Sequence, residues 1–419
     1  MPPQPDSAGE TRALITAIRE NRRTLAEGGL AADRDNADPT ANLTLLAELG
    51  TARLAVPTEY GGLWDGTERG GWGTVVRALR EISAGDGPTG QNWLTTVLVA
   101  RELFEPGDGL AESTRAELAR RILDDGLRLV SSVAETGVTD ATGKTVRTTA
   151  RPAEGGVVLS GTKSFNSNSG GLGMALVRCL LEGEQPAPHQ VLVDLNHAQV
   201  VLHDDWDNMG QRGTRSQTVT YQDVFVPDGW HQPTGGQFSP VFLGAAMLLH
   251  AGLMQGIGEG ALDALVQHTR TMKRGSLPQF ATPAEDPLIL RRIGALSSRL
   301  AASRALLHSA ADQLEGTRQE EVRRDAARTK EARDGEDMDA VTVDCFRAKV
   351  AAVEASLEAA AEIHEITGAR STSNAYGYDR YWRNARTFAS HDPIDAKNVY
   401  IGGYELGNRL PPLSSIIRF

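Results

Sequence analysis

From Glu10 to about Asp125 apolar residues recur at helical spacing: Leu14, Ile18 and Leu25 in a first helix, Leu43, Leu46 and Leu49 in a second, and Val75, Val76, Leu79 and Ile82 in a third. Between about Gly126 and Gly236 the pattern changes. Short β-rich runs (Leu127 to Val133, Lys144 to Thr149, Gly156 to Leu159, Gln190 to Leu195, Gln217 to Tyr221) are separated by Gly, Pro, Asn and Asp clusters. The helical period returns after Pro240, and no proline occurs between Pro287 and Pro393. Stripes through Leu290, Ile293, Leu296 and Leu300, and through Val350, Val353, Leu357 and Ala361, predict long amphipathic helices packed as a bundle. The charged run Arg318 to Asp337 between them reads as a solvated helix end or a mobile connection. The expected organisation is an α+β chain with an N-terminal helical domain (1–125), a central β domain (126–236) and a C-terminal helical bundle (237–419).

Composition narrows the class. With 419 residues, 40% of them hydrophobic, the chain can bury a large core. A formal charge of -11 and the lack of a Lys/Arg patch interleaved with aromatics argue against nucleic acid as a partner. Cys179 and Cys345 stand far apart and belong to no CxxC, which fits a reducing cytoplasm rather than a disulfide framework. The first ten residues contain no apolar signal core. The apolar stretch Val241 to Gly258 is interrupted by His250, Gln255 and glycines, so it reads as a buried helix and no membrane is expected.

Several motifs fail on spacing. Gly143-Lys144-Thr145 lacks the register of a phosphate-binding loop, and Gly256, Gly258 and Gly260 lie in a helical stripe with no strand before them, which points to close helix packing. No histidine spacing pairs metal ligands on one helical face, and no GxSxG elbow is present.

Four other segments carry chemistry when taken together: Val56 to Gly62, Ser160 to Asn168 (SGTKSFNSN), Trp206 to Pro227 with Met209-Gly210-Gln211-Arg212-Gly213-Thr214, and Asp379 to Arg386 followed by His391-Asp392-Pro393. In this order and spacing they resemble the acyl-CoA dehydrogenase superfamily across nearly the whole chain. That resemblance implies an acyl-CoA dehydrogenase-like fold, with a central β-barrel-like domain and a C-terminal four-helix bundle, a flavin between the two, and a homotetramer. It places the Ser167 hydroxyl at the flavin N5, where hydrogen bonding tunes redox state, Phe165 beside the ring and Ser132 on the strand along it. It places Arg274 and Arg370 on the flavin phosphate, which suits a guanidinium fork.

The dehydrogenases of the superfamily use a glutamate base at the position filled here by Asp392. A carboxylate one methylene shorter, followed by a proline, disfavours that chemistry. The run Arg380 to Arg386 with His391 to Pro393 instead resembles the two-component flavin-dependent monooxygenase branch, which includes dibenzothiophene monooxygenase and related aromatic hydroxylases. The implied activity uses reduced flavin (FMN or FAD) and O2, through a C4a-hydroperoxyflavin, to oxygenate a small aromatic or heteroaromatic metabolite. A separate NAD(P)H:flavin reductase is the implied partner. His391 and Ser167 would supply hydrogen bonds, His391 could accept a substrate proton, and Asp392 could orient it. The alternative is a flavin oxidase or dehydrogenase with Asp392 as base. Gln91 and Thr95 stand where the desulfurising enzymes have His and Tyr, so a different pocket is expected, lined also by Trp93 and Trp206.

Overall fold

The computed structural model describes residues 7–104, 110–136, 146–171, 173–234, 239–324, 330–407 and 409–411, without the side chains of Ser7 and of 317–337. The Gly-Lys-Thr triplet and residues 325–329 of the charged run therefore lie outside the described residues, and no side chain of that run is described. Helices α1 (Ser7–Glu20), α2 (Arg22–Asp35), α3 (Thr40–Glu48), α4 (Trp72–Gly85), α5 (Gly87–Phe104) and α6 (Glu112–Asp124) come first. Strands β1 (Arg128–Ser132), β2 (Thr149–Ala153), β3 (Gly156–Asn166), β4 (Gly173–Leu181), β5 (Ala187–Asp194), β6 (Val200–Leu202), β7 (Gln217–Pro227) and β8 (His231–Pro233) follow. Helices α7 (Pro240–Thr271), α8 (Pro287–Arg324), α9 (Lys330–Thr367), α10 (Asp379–His391) and α11 (Ile394–Glu405) complete the chain.

The strands form one sheet in the order β6-β7-β3-β2-β4-β5-β8, antiparallel except where β2 runs parallel to β4, with β1 added parallel to β4. Val130, Leu159, Val177, Val191, Val219 and Tyr221, from five strands, are buried in one cluster, as a curled sheet requires. The helices share a separate core that runs from α1 through α4 into the bundle.

Helix α7 lies at its centre. Ser239 accepts a hydrogen bond from the amide of Phe242 (3.0 Å) and Pro240 occupies the first turn, a strong helix start. The helix is long and apolar enough to cross a membrane, but here it is packed inside protein. A Cβ at Gly256 would come within 2.5 Å of the Arg80 carbonyl and one at Gly260 within 2.3 Å of the Ala84 carbonyl. These glycines let α7 touch α4 backbone to backbone.

The helical stripes need three corrections. Leu25 belongs to α2, because the chain breaks at Asn21 between two helices. On α8 the buried residue is Ile289 while Leu290 is 52% exposed. On α9 the packed face runs through Phe346, Lys349, Val353, Ser356, Ala360 and Ile363, and Ala361 faces out. Small and polar residues on that face hide it from an apolar count.

Candidate active site

The end of β3 turns sharply at Phe165. A register shift between Lys163 and Asn166 marks a bulge against β7, and Phe165 takes φ +57, a left-handed conformation that costs a bulky residue energy. The bulge turns the ring outward, so that it is 58% exposed and meets Trp206 edge to face at 6.3 Å. Interior polar contacts hold the turn in place. Lys163, fully buried, pairs with Glu135 at 2.6 Å, and the Asn166 side chain donates to the Lys163 and Gln217 carbonyls at 2.9 Å each.

Ser167 follows at the tip. Its hydroxyl accepts from Gln91 Nε2 (3.0 Å) and shares a hydrogen bond with the Ser216 hydroxyl (2.7 Å), which in turn reaches Thr214 (2.7 Å). Gln91 rides on α5, whose start is fixed by the buried Asp86 carboxylate accepting from the amide and hydroxyl of Thr89. Thr95, one turn on, donates its hydroxyl to the Gln91 carbonyl at 2.9 Å.

The loop before β7 docks on α10. The Gln211 amide donates to Asn384 Oδ1 (2.7 Å), Arg383 donates to the Met209 carbonyl (2.7 Å), and Trp206 Nε1 donates to the Gln211 carbonyl (2.9 Å). A Cβ at Gly210 would sit 2.0 Å from the Arg383 carbonyl, so this approach requires glycine. The third and fourth sequence segments thus touch. Asn384 and His391 are seven residues apart, roughly 10 Å along α10 at 1.5 Å per residue.

At the far end of α10 is a cluster of titratable groups. Lys349, 3% exposed, donates to Asp392 Oδ2 and approaches His250 Nδ1 at 3.4 Å. Lys397, 1% exposed, donates to Asp392 Oδ1 at 2.7 Å. The His250 ring meets His391 at 5.4 Å and Phe388 at 5.1 Å, both edge to face. Burial alone would raise the pKa of Asp392, but the charge of Lys349 and the bonds from both lysines hold it down at about 2. Burial and Lys397 lower Lys349 to about 8 against the pull of Asp392. His391 is exposed on one side and packs against His250 and Phe388 on the other, and desolvation with the nearby Lys349 charge lowers its pKa. The same two causes, with His391 added, push His250 well below the ordinary imidazole value.

Two expected site residues are placed elsewhere. Trp93 is in the helical core with its indole donating to Thr51 Oγ1 at 3.0 Å, because its face of α5 packs inward. Ser132 points into the sheet interior, donating to Asn166 at 2.6 Å and sharing a bond with the Tyr221 hydroxyl at 2.9 Å; the alternation of β1 leaves Ser131 as the exposed serine. Asp392 carries its charge, but both oxygens are engaged by lysines. Arg274 and Arg370 are exposed, and their side chains make no hydrogen bond among the described residues. His250, Lys349, Lys397, Gln211 and Ser216 were not among the sequence candidates. The one signal for the first was a histidine interrupting an otherwise apolar helix.

The residues around the β3 turn fit a flavin. An exposed phenylalanine held in a strained conformation offers a flat apolar contact beside a partly exposed hydroxyl, and Gln91 Oε1 on α5 and Gln211 Oε1 in the loop before β7 are buried with no hydrogen-bond partner among the described residues. A separate cavity of about 420 Å³ is lined by Arg22, Arg80, Glu81, Glu259, Arg304 and His308, none of them from this cluster. Its charges pair internally, Arg80 with Glu81 at 2.6 Å and with Glu259 at 3.0 Å.

The C-terminal domain family of acyl-CoA dehydrogenases matches residues 248–396, which run from within α7 into α11 and contain His250, Lys349, His391 and Asp392 but stop one residue short of Lys397. Dibenzothiophene monooxygenase of Rhodococcus qingshengii is 29% identical, over 95% of this chain and 94% of its own. A probable FMNH2-dependent monooxygenase of Pseudomonas putida is 28% identical over 96% of both chains. These similarities are all to the flavin monooxygenase branch of the acyl-CoA dehydrogenase superfamily. The chain's fold is that of the dibenzothiophene monooxygenase TdsC of Paenibacillus sp. A11-2, solved with FMN and indole, at a TM-score of 0.81, 24% identity and coverage of 96% of this chain and 98% of that one.

Proposed function

We propose that this flavin monooxygenase-branch protein is the oxygenase component of a two-component system, using reduced flavin and O2 to oxygenate a small aromatic or heteroaromatic metabolite. The observation that carries the reading is the state of Asp392. Its carboxylate is held by two buried lysines, so the base that a flavin dehydrogenase or oxidase would need is neither free nor basic. The relatives that match nearly the full chain support the same choice.

Bound reduced flavin supplies the electrons with which O2 is activated. The protein's share is to bind, orient and keep water out. Phe165 and Trp206 would pack beside the flavin ring, the Ser167 hydroxyl, oriented by Gln91 and Ser216, would hydrogen-bond to it, and Arg274 and Arg370 would hold its phosphate, as FMN or FAD. Gln91, Thr95 and Trp206 shape the substrate side. His391, held neutral, donates or accepts one hydrogen bond beside the reacting oxygen and can take a proton from an acidic substrate. The reading includes a cytoplasmic homotetramer, the division at about residues 125 and 236, and a separate NAD(P)H:flavin reductase. Oxygen consumption with NAD(P)H and an added flavin reductase, but not without the reductase, is the expected result. Turnover with oxidised flavin and an acyl-CoA, independent of any reductase, would favour the dehydrogenase.

A further inference from the structure

The four groups around Asp392 form a chain that ends at His391. Lysine has donors and no acceptor, so the contact of Lys349 Nζ with His250 Nδ1 at 3.4 Å is possible as a hydrogen bond only if that nitrogen is unprotonated. The proton of neutral His250 must then sit on Nε2, for which no partner is found among the described residues. The ring so defined stands edge to face with His391 at 87° and 5.4 Å, while Phe388, on the same turn of α10, lies nearly parallel to His391 at 9° and 6.2 Å. His391 therefore packs against two rings that also meet each other. One belongs to its own helix, and the other comes from α7 and has its tautomer dictated by α9.

The geometry points to Lys349 and His250 as positioning residues for His391: Lys349, anchored by Asp392, fixes the Nε2–H tautomer of His250, and the His250 ring fixes the orientation of His391. This rests on the monooxygenase reading for its link to oxygen transfer, but not for the tautomer itself. The charged and titratable groups facing His250 are Lys349 from α9, His391 from α10, Asp392 from the α10–α11 connection and Lys397 from α11. Two lysines against one carboxylate leave one positive charge, which opposes protonation of either imidazole. Lys397, whose ammonium also lies 5.8 Å from the Phe346 ring centroid, holds the other oxygen of Asp392 and so fixes the anchor.

The test uses the full-length protein without flavin. Nitrogen-15 NMR of labelled histidines in the wild type should give one resonance pair assigned to His250 with Nε2 protonated and Nδ1 bare, unchanged down to pH 6. In Lys349→Met the His250 signal should become a mixture of tautomers, and the titration of His391 should move up towards the ordinary imidazole value. Lys349→Met/Asp392→Asn keeps the cluster's net charge of one and serves if the single variant does not fold. It should show the same release of the tautomer. Lys349→Arg should restore the wild-type pattern at least in part. In the reductase-coupled assay the Lys349→Met variants should lose on the order of tenfold or more in the ratio of product to hydrogen peroxide, with flavin affinity retained. Nδ1-protonated His250 in the wild type, or a His391 titration that ignores both Lys349 variants, overturns the inference. A protein that binds no flavin but shows the predicted tautomer would contradict the proposed function and leave the positioning chain standing.

Discussion

Lys397 donates to Asp392 Oδ1 at 2.7 Å from a side chain that is only 1% exposed. A lysine buried to that degree is expensive unless its charge is matched, so the carboxylate is first of all the counter-ion that allows two ammonium groups inside the bundle. It follows that Asp392→Asn should act on stability before it acts on chemistry. A loss of roughly 3 to 5 kcal/mol, the usual cost of removing one partner of a buried pair, is expected in denaturant titration. Lys397→Met added to Asp392→Asn should recover part of it. A folded Asp392→Asn protein of unchanged stability would return the aspartate to the role of a free base.

The pH dependence of stability has a definite sign. His250 and His391 titrate in the folded state below the ordinary value near 6.5, so between those values the unfolded chain binds more protons. Their neutral forms favour the fold above about pH 6.5, and that contribution is lost as the pH falls. Asp392 adds a second loss between 3.8 and about 2. Lys349, lowered from 10.5 to about 8, makes stability rise with pH across that interval. Thermal unfolding from about pH 2 to 10 should show these slopes, and His250→Asn should flatten the step below pH 6.5.

Arg274→Ala and Arg370→Ala should each weaken flavin binding by roughly 1.5 to 3 kcal/mol, the range for a hydrogen bond to a charged group. Both side chains are exposed and unbonded among the described residues, so the unfolding midpoint should stay put. Equilibrium titration decides this; unchanged affinity in both variants would return these arginines to the solvated surface.

Ser167→Ala removes the hydroxyl between Gln91 and Ser216 and should lower the yield of oxygenated product per O2 consumed, with peroxide rising to match. One neutral hydrogen bond is worth about 0.5 to 1.5 kcal/mol, so a change of a few-fold to tenfold is expected. Trp93→Phe, by contrast, should cost about 1 kcal/mol of stability through the lost bond to Thr51 and leave the substrate KM alone.

The three-part layout was legible because its signals are local. Helical stripes such as Val75, Val76, Leu79 and Ile82 are all fully buried, and the SFNSN turn sits where the β period ends. What escaped was decided by tertiary contact. Lys349 lies on the buried face of α9 among alanines, and nothing near it in the chain says that Asp392, 43 residues on, will meet it. Trp93 and Ser132 were assigned from position in a motif, but which face of α5 or β1 turns inward depends on the partners those elements find.

The central claim is that this fold uses reduced flavin to activate oxygen, and rapid mixing of the reduced-flavin complex with O2 tests it most directly. Absorbance should record two resolved phases, with the oxidised flavin spectrum appearing only in the second, and His391→Ala should shorten the interval between them while binding flavin normally. Reoxidation in one phase at the rate of free flavin, the same in the wild type and in His391→Ala, would contradict the account.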